Sequence, residues 1–357
     1  MSNLANSAIQ KMGTYVPPLA GRWDFEGTLL DFNERTIPVC PAVRNALTNY
    51  AAHSRFYLYP FYSDFSKRIA EYAGVSEDQV LPSNGADQGI ELCFRTYTKP
   101  GDKVIIPGPS FAMFAQCAGV QGNEILTPEY DVKDMSYPLE KVLDLVDENV
   151  RLIVVCNPNN PSGTLLDLEG IECLLKAAPK ALILVDEAYF EFSGVSAVPL
   201  LKTYSNLVIT RTFSKAFGLC GLRIGYVLTQ AQNVSELMKV RGPYDLNMAA
   251  YAGVCASLEN LDDMRAYVEE VMTRAKPLVE GFFKENGVPF YPSQSNYILF
   301  RPWDKQAVFE ALKENGFMTR PQSGVNATDC IRVSIGTREQ MQGFIDAYKK
   351  FCLTPQV

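Results

Sequence analysis

The chain has 357 residues, of which 47% are hydrophobic and 20% charged, so it is long enough for two domains and has the composition of a soluble globular protein. Its formal net charge of −7 argues against a nucleic-acid role, because binding a phosphate backbone needs a positive surface. The nine cysteines form no CxxC pair and His53 is the one histidine, so we expect reduced core cysteines and no metal site.

The first 40 residues are punctuated by proline and glycine, and they predict an arm rather than a domain. They carry no apolar signal core, and no apolar run in the chain is long enough to span a bilayer. We therefore expect a cytoplasmic location without membrane contact. Within the arm, residues 29–34 predict a short strand that ends in polar side chains.

Residues 41–245 predict the larger domain, which opens with helices at 41–52 and 64–72. Further on, Gly85, Ala86 and Asp87 form a small-residue turn at the start of another predicted helix. The backbone N–H groups and the positive end of the dipole at a helix N-terminus attract anions. These residues are therefore candidates for binding phosphate, although an ordinary helix cap has the same pattern.

Short apolar runs then alternate with helical stretches, which predicts an α/β fold with a mostly parallel sheet. Strands are predicted at 103–106, 151–155, 181–185, 207–210 and 223–227. The ligands of such sheets gather where the strands end. Asn160, Asp186 and Lys215 each follow one of these strands, so we expect their side chains to meet at one edge of the sheet.

Lys215 is the centre of the most informative segment, which runs from Thr212 to Gly218. Burial or a nearby positive charge disfavours the ammonium form of a lysine, and the neutral amine is the form that condenses with an aldehyde. Thr212 and Ser214 add hydroxyl groups and Arg223 adds a fixed positive charge, which together suit a phosphate. Pyridoxal phosphate carries both an aldehyde and a phosphate, whereas the alternative is an ordinary lysine on a surface loop.

From about residue 246 onward, helices and strands mix in a pattern that predicts a smaller α+β domain at 246–357. Arg332 lies in a predicted strand that is otherwise apolar, and its alternative is a solvated position on the outer face of that strand. The helices are predicted at 247–258, 262–286, 305–315 and 338–351, and the strands at 295–300 and 330–335.

Three separated motifs resemble those of fold-type I aminotransferases of class I and II: Asn160-Pro161-Ser162-Gly163, Asp186-Glu187-Ala188-Tyr189 and Ser214-Lys215-Ala216-Phe217-Gly218. Within this family the chain looks most like the histidinol-phosphate aminotransferase branch. The resemblance extends from about residue 15 to the last predicted helix. It implies the PLP-transferase type I fold, pyridoxal 5′-phosphate as cofactor, and a homodimer with shared active sites.

The resemblance also implies roles for residues at matching positions. Lys215, Asp186 and Tyr189 are the implied catalytic residues, with Asn160 and Tyr189 on the phenolic oxygen of the cofactor ring and Phe111 stacked on its face. Tyr59 is implied to form a hydrogen bond with the cofactor phosphate of the other subunit. The other implied cofactor-binding residues are Gly85, Ala86, Asp87, Phe111, Asn160, Asp186, Tyr189, Thr212, Ser214, Lys215 and Arg223. The implied substrate-binding residues are Tyr15, Asn33, Arg332, which clamps a carboxylate, and Arg320, which helps bind phosphate.

Three segments depart from the family pattern: Arg35-Thr36 replaces Asn-Pro, Phe61-Tyr62 replaces a polar, proline-containing stretch, and Phe111 replaces tyrosine. The implied reaction transfers an amino group from histidinol phosphate or an aromatic amino acid to a 2-oxo acid such as 2-oxoglutarate. A decarboxylase or amino-acid oxidase with the same cofactor remains an alternative. So does a cofactor-free binding domain, although the presence of Lys215, Asp186 and Arg223 argues against it.

Overall fold

A computed structural model describes residues 4–14 and 16–353 of the chain. The helices are α1 (Ser7–Gln10), α2 (Pro41–His53), α3 (Phe65–Ala73), α4 (Gly85–Tyr97), α5 (Ala112–Gln121), α6 (Leu139–Asp144), α7 (Leu168–Ala177), α8 (Phe190–Ser193), α9 (Ala231–Val240), α10 (Met248–Leu258), α11 (Leu261–Glu269), α12 (Lys276–Glu285), α13 (Lys305–Glu314) and α14 (Arg338–Phe351). Within the described ranges, we find no helix with the length and apolar character needed to cross a membrane.

The strands follow the same chain order. They are β1 (Thr28–Leu29), β2 (Val80–Ser83), β3 (Lys103–Ile105), β4 (Glu124–Leu126), β5 (Val150–Cys156), β6 (Leu182–Asp186), β7 (Leu207–Thr212), β8 (Gly225–Thr229), β9 (Phe290–Tyr291), β10 (Tyr297–Phe300), β11 (Phe317–Met318), β12 (Arg320–Pro321) and β13 (Ile331–Ser334).

A seven-stranded sheet, in the order β2-β8-β7-β6-β5-β3-β4, forms the centre of the larger part of the molecule. Strands β3 to β7 run parallel to one another, whereas β8 runs antiparallel to both β7 and β2. Every residue of β6 and β7 is buried, as expected of strands that helices cover on both faces. The predicted α/β fold with a mostly parallel sheet is confirmed.

The register of the three central strands brings their carboxyl ends to one edge. Cys156, the last residue of β5, pairs with Asp186 of β6, and Asp186 pairs with Thr210 of β7. The chain leaves each strand just beyond these pairs. The loops that carry Asn160, Tyr189 and Lys215 therefore start next to one another, because parallel strands place equivalent ends on the same side of a sheet.

Two predicted strands differ from the structure, and five strands were missed: β2, β4, β9, β11 and β12. The strand predicted at 29–34 is limited to β1, because the following residues turn at Asn33, whose φ is +55°. The strand predicted at 223–227 begins only at Gly225, because Arg223 has a left-handed φ of +52°. Of the missed strands, β2 contains Pro82, which argues against a strand in a sequence but is tolerated at a sheet edge.

The C-terminal part contains an antiparallel sheet in the order β12-β13-β10-β9, with α12, α13 and α14 packed together beside it. The helix predicted at 262–286 is present as α11 and α12, joined without a break by a π-helical segment at Glu270–Ala275. The separate, smaller set of helices and strands agrees with the predicted α+β pattern.

The two ends of the chain meet in the structure. Strand β1 pairs in parallel with β11, so the N-terminal arm contacts the C-terminal part. Helix α10, which the predicted boundary at residue 246 assigns to the smaller domain, packs against α2 and α3.

An aromatic cluster fills the core of the C-terminal part. The ring of Phe283, which is fully buried, lies within 6.4 Å of five other rings, centroid to centroid: those of Phe282, Phe290, Phe300, Phe344 and Tyr348. Aromatic pairs at these separations add to the stability that their apolar burial provides. Phe283 thus connects α12, β9, β10 and α14 in one packed unit.

Replacing Phe283 with alanine is expected to lower the free energy of unfolding by about 3–5 kcal/mol, because the change removes apolar burial and leaves a cavity. Chemical denaturation followed by circular dichroism measures this loss. Phe351→Ala is the control: Phe351 is 43% exposed, and its replacement is expected to cost about 1 kcal/mol or less. Equal losses in the two variants would contradict the central place of Phe283 in this core.

Candidate active site

The loop after β7 is built to present Lys215. Phe213 is fully buried, and the backbone N–H of Leu219 donates to its carbonyl at 2.9 Å, which closes the loop. Inside it, Gly218 donates its N–H to the carbonyl of Lys215 at 3.0 Å and has a φ of +72°, a conformation that favours glycine. The tight turn leaves the side chain of Lys215 partly accessible between buried neighbours.

The amine of Lys215 is held by the arm. Its Nζ donates a hydrogen bond to the backbone carbonyl of Phe32 at 2.8 Å and lies 5.6 Å from the centre of the Tyr189 ring. These contacts place a primary amine beside one of the tyrosines predicted for the site. The structure thus brings Lys215 and Tyr189 together.

Asp186 is buried to 3% exposure at the end of β6. Burial raises the pKa of its carboxyl group to about 7, against the hydrogen bond that Thr210 Oγ1 donates to it at 2.8 Å, while the charges of Asp87 and Glu187 raise the pKa further. The thiol of Cys156 lies 3.9 Å from the other carboxylate oxygen. A carboxylate in this position is costly without a positively charged partner.

Asn33 joins the arm to Tyr189. Its Nδ2 donates to the hydroxyl oxygen of Tyr189 at 3.0 Å, and its Oδ1 accepts from the hydroxyl of Ser334 at 3.1 Å. The Tyr189 ring also makes an edge contact with Tyr297, with the ring centres 5.0 Å apart. The predicted substrate residue Asn33 and the predicted catalytic residue Tyr189 therefore belong to one hydrogen-bonded cluster.

Arg332 is buried in β13, so the alternative of a solvated arginine is wrong. Its Nη1 donates to Oδ1 of Asn160 and its Nη2 to the carbonyl of Asp31, both neutral acceptors. Its Nε is buried and has no hydrogen-bond partner among the described residues. Burial lowers the pKa of this guanidinium, because a charged group in a dry environment is disfavoured without a counter-charge.

Arg320 lies next to Arg332, because the two residues are direct partners in the β12–β13 pairing. The guanidinium of Arg320 is 5.4 Å from the centre of the Phe32 ring. In the part of the chain that the structure describes, no carboxylate forms an ion pair with either arginine. The two adjacent guanidinium groups therefore have no ion-pair partner of their own, and the nearby carboxylate of Asp31 is paired with Arg22.

Arg22 completes this cluster and was missed by the sequence analysis. Its guanidinium lies 4.4 Å from the centre of the Phe32 ring, on which Arg320 also lies. Unlike Arg320, it is neutralised: its Nε and Nη2 bond to the Asp31 carboxylate at 2.9 and 3.0 Å, and Nη2 also pairs with Glu34. The sequence gives no signal for Arg22, because a single arginine in an irregular arm belongs to no motif and to no helix or strand periodicity.

The N-terminus of α4 forms the opposite side of the site. Nη2 of Arg223 bonds to the Asp87 carboxylate at 2.9 Å. Gly85 has a φ of +75°, and a Cβ atom on it would lie 2.8 Å from the same Nη2. A Cβ on Gly225 would lie 2.7 Å from the backbone nitrogen of Ala86. Both glycines therefore allow a close approach of β8 and Arg223 to the free N–H groups of the helix.

Two hydroxyl groups lie beside this helix end. Thr212 pairs with Gly225 across β7 and β8, and its hydroxyl donates to Ser214 Oγ at 2.8 Å. The backbone N–H of Ser214 donates back to Thr212 Oγ1 at 3.1 Å. The predicted phosphate-binding residues are thus close neighbours in the structure.

Phe111 precedes the first residue of α5 and is partly buried. Its ring makes an edge contact with Phe114 at 5.8 Å, centroid to centroid, and Phe114 is fully buried in the core. The adjacent Ser110 hydroxyl donates to Oδ1 of Asn159 at 2.9 Å. This bond ties Phe111 to the loop that carries Asn160.

The predicted site residue Tyr59 is not part of this cluster. Tyr59 is 76% exposed, and its ring stacks on that of Tyr244 with the centres 4.4 Å apart. Around it, Phe56, Tyr57, Leu58 and Phe61 are also exposed. Tyr15 lies outside the described residues.

Sequence reasoning missed the backbone and packing partners of the site. The carbonyl of Phe32 that accepts from Lys215 has no sequence signal, because every residue carries a carbonyl. Thr210 had a usable signal, since it is a polar residue in a buried strand, and such residues are hydrogen-bonded. Asp31 had a weaker signal, as an acidic residue two positions before the predicted substrate residue Asn33.

These groups fit the chemistry of pyridoxal phosphate. Lys215 offers an amine for the aldehyde, and Arg223, Ser214 and the start of α4 offer donors for the phosphate. Asp186 offers a buried acid, and the missing Cβ atoms of Gly85 and Gly225 leave the helix end approachable.

Comparisons with known proteins agree with this geometry. The family model described as aminotransferase class I and II matches residues 26–347. A histidinol-phosphate aminotransferase from Geobacillus sp. (strain WCH70) is 32% identical over 324 residues, which cover 88% of this chain and 87% of the relative.

Solved structures share the fold at lower identity. Histidinol-phosphate aminotransferase from Sinorhizobium meliloti, in complex with pyridoxal-5′-phosphate, superposes with a TM-score of 0.88 at 22% identity and covers 98% of both chains. L-threonine-O-3-phosphate decarboxylase from Porphyromonas gingivalis superposes with a TM-score of 0.77 at 22% identity and covers 91% of this chain and 99% of that one. The fold alone therefore does not separate transamination from decarboxylation.

The raised pKa of Asp186 predicts a pH effect on the cofactor-free protein. The folded state keeps the carboxyl proton up to about pH 7, whereas the unfolded state loses it near pH 4, so between these values the group costs stability as the pH rises. Asp186→Asn removes this titration. We expect the melting temperature of the variant, relative to that of the wild type, to rise from pH 5 to pH 7. Above pH 7 the difference between the two proteins is expected to stay constant.

Melting curves of both cofactor-free proteins across this pH range measure the effect. Asp329→Asn, at an exposed aspartate, is the control and is expected to track the wild type. A difference between Asp186→Asn and the wild type that does not change with pH would contradict the assigned cause.

Proposed function

The chain belongs to the class I and II aminotransferases, and on that premise we propose that it transfers the amino group of histidinol phosphate to a 2-oxo acid such as 2-oxoglutarate. Pyridoxal 5′-phosphate is the cofactor. The choice of histidinol phosphate is supported by relatives that are histidinol-phosphate aminotransferases and are more than 30% identical over most of the chain.

The observation that carries the substrate assignment is the unneutralised pair Arg320 and Arg332. The two residues are cross-strand partners, and Arg332 contacts only neutral oxygen acceptors. A buried arginine without a counter-charge is costly, and a bound anion restores the balance. Two guanidinium groups suit the double charge of a phosphate better than the single charge of a carboxylate.

The cofactor is proposed to bind along the carboxyl edge of the central sheet. Arg223, Ser214, Thr212 and the first turn of α4 would hold its phosphate, because they combine hydroxyl donors, free N–H groups and a positive charge. Phe111 would stack on the ring, and Asn160 and Tyr189 would donate hydrogen bonds to its phenolic oxygen. Asp87 would orient Arg223 through their ion pair.

Bound pyridoxal phosphate supplies an electron sink for the substrate carbon that carries the amine. Asp186 is proposed to become ionised beside the protonated ring nitrogen, a positive partner that offsets its burial. Lys215 is proposed to carry the proton on Nζ. It would take the proton from that substrate carbon and give it to the carbon on the other side of the amine nitrogen. To do so, its amine exchanges the Phe32 carbonyl for the substrate.

A homodimer is proposed on the basis of the exposed aromatic surface formed by Phe56, Tyr57, Tyr59, Phe61 and Tyr244. Each of these side chains is more than 60% exposed, and so contiguous a set of large apolar groups is typical of an interface. Tyr59 would then reach the phosphate of the partner's cofactor, and Tyr15 of the arm would reach the substrate. Free cysteines throughout the chain support a cytoplasmic location.

Half-reaction absorbance spectra test the proposed donor. The cofactor-loaded protein is mixed with histidinol phosphate, glutamate, phenylalanine, tyrosine or arginine, and conversion to the pyridoxamine form of the cofactor is followed. We expect conversion with histidinol phosphate. Conversion with phenylalanine or tyrosine alone would replace this donor by an aromatic amino acid, and release of carbon dioxide or a need for oxygen would move the protein to another reaction class.

Arg320→Met is expected to weaken the use of histidinol phosphate by about 10- to 100-fold in kcat/KM, because one charge-assisted contact is worth about 1.5–3 kcal/mol. Phenylalanine, which has no phosphate, is the internal control and is expected to change far less. Arg320→Lys keeps the charge, and its kcat/KM for histidinol phosphate is expected to lie between those of the wild type and Arg320→Met. Equal losses for both donors would remove Arg320 from the phosphate site.

Gly85→Ala is expected to weaken cofactor binding, because its Cβ would lie 2.8 Å from Nη2 of Arg223 and displace that guanidinium. Gly101→Ala is a matched control: Gly101 has a similar φ of +87°, but its Cβ would meet open space. Both variants are expected to lose about 1 kcal/mol of stability from backbone strain. Only Gly85→Ala is expected to raise the Kd for pyridoxal phosphate, measured by fluorescence titration.

A further inference from the structure

We propose that Arg35 is a positioning residue for transamination, which rests on the proposed role of Lys215. Arg35 stands on the arm, outside the cofactor and substrate sites described above. Its side chain is 2% exposed, although it carries a full positive charge. A charge is buried at this cost only where its contacts offset the loss of water, so those contacts show what the side chain holds together.

The guanidinium of Arg35 contacts the loop of the catalytic lysine directly. Its Nη1 lies 3.3 Å from the carbonyl oxygen of Ala216, the residue after Lys215. Its stem fills the space beside Gly218, where a Cβ atom would lie 2.8 Å from Cδ of Arg35. Gly218 in turn donates its N–H to the carbonyl of Lys215. Arg35 therefore packs against the backbone on the C-terminal side of the lysine.

The other face of the guanidinium is anchored to α11. Nη1 forms an ion pair with Asp263 at 2.9 Å, and the guanidinium carbon lies 4.7 Å from the centre of the Tyr267 ring. The flat guanidinium can stack on a ring and donate at its edge at the same time, which a lysine ammonium cannot. Arg35 thus connects the lysine loop to a helix that leads into the C-terminal part.

The residues on both sides of Arg35 strengthen this connection. Three residues earlier, the Phe32 carbonyl accepts from Nζ of Lys215. One residue later, Thr36 donates its N–H to the hydroxyl of Tyr267 at 3.2 Å and its hydroxyl to Oε1 of Gln340 in α14 at 2.7 Å. One short segment therefore holds the lysine amine, the lysine backbone and two helices of the C-terminal part.

Rotation or displacement of the lysine loop alters the direction in which Nζ points, and proton transfer depends on that direction. A misplacement of about 1 Å costs about 100-fold in rate when the reacting groups must be aligned. Arg35 does not touch the substrate site, so its loss is expected to change the rate of the chemical step and to leave substrate affinity nearly unchanged.

The test compares Arg35→Met, Arg35→Lys and Phe283→Ala with the wild type in single-turnover half-reactions of the cofactor-loaded enzyme with histidinol phosphate. Arg35→Met is expected to lower the maximal rate constant by about 10- to 100-fold, with the half-saturating donor concentration within about 2-fold. Arg35→Lys retains the charge but not the stacked fork, and is expected to recover part of the rate.

Phe283→Ala is the stability control, because it weakens the C-terminal core, and the ring contacts of Phe283 are all with residues of that core. If it slows the half-reaction as much as Arg35→Met at an equal loss of melting temperature, or if Arg35→Met acts only on donor affinity, the positioning role is wrong. Should Arg35→Met fail to fold, Arg35→Lys decides the question, since an unchanged rate in that variant overturns the proposal.

Lys215→Ala separates this inference from the function on which it rests. Retained transamination in Lys215→Ala would overturn the role of Lys215 and with it that of Arg35. A strict need for Lys215 combined with a normal rate in Arg35→Met would overturn the role of Arg35 alone.

Discussion

The site depends on the hydrogen bonds that a short arm segment, residues 31–33, makes between the two parts of the molecule. The carbonyl of Asp31 accepts from Arg332, the carbonyl of Phe32 accepts from Lys215, and the side chain of Asn33 donates to Tyr189. Arg332 stands on the small antiparallel sheet, whereas the other two partners stand on loops of the large parallel sheet. Without this segment, the amine of Lys215 and the guanidinium of Arg332 would lose the backbone acceptors that hold them in one site.

Buried charge is the energetic counterpart of this arrangement. Asp186 and Arg332 are both nearly inaccessible, and burial raises the pKa of the first and lowers that of the second, so the charged form of each is disfavoured in the protein alone. A positively charged ring nitrogen would relieve Asp186, and an anionic substrate would relieve Arg332. Preformed sites of this kind bind ligands tightly because the protein has already met the desolvation cost in folding. Arg35 differs, since its partner Asp263 is supplied by the chain itself.

Most of the large sheet and the residues at its carboxyl edge could be predicted from the sequence. Lys215, Asp186 and Asn160 each follow an apolar run, and parallel strands must bring such positions together. The prediction failed where the backbone departs from regular dihedrals, as at Asn33 and Arg223, whose positive φ values no periodic pattern reveals. It also missed strand β2, which contains Pro82. Proline is acceptable there only because β2 lies at the edge of the sheet, which the sequence does not reveal.

By itself, the sequence determined the fold class, because alternating strands and helices follow from hydrophobic period. It predicted the cofactor and the role of Lys215 from the hydroxyl groups and the arginine near this lysine, and from the resemblance of three motifs to a known family. The tertiary structure decided which groups support them. The Phe32 carbonyl, the pairing of Arg320 with Arg332 and the contact of Arg35 with the lysine loop join residues from about 12 to more than 180 positions apart. Such contacts arise only when separate elements pack, because a backbone carbonyl or a lone arginine carries no local signal of the partner it will meet.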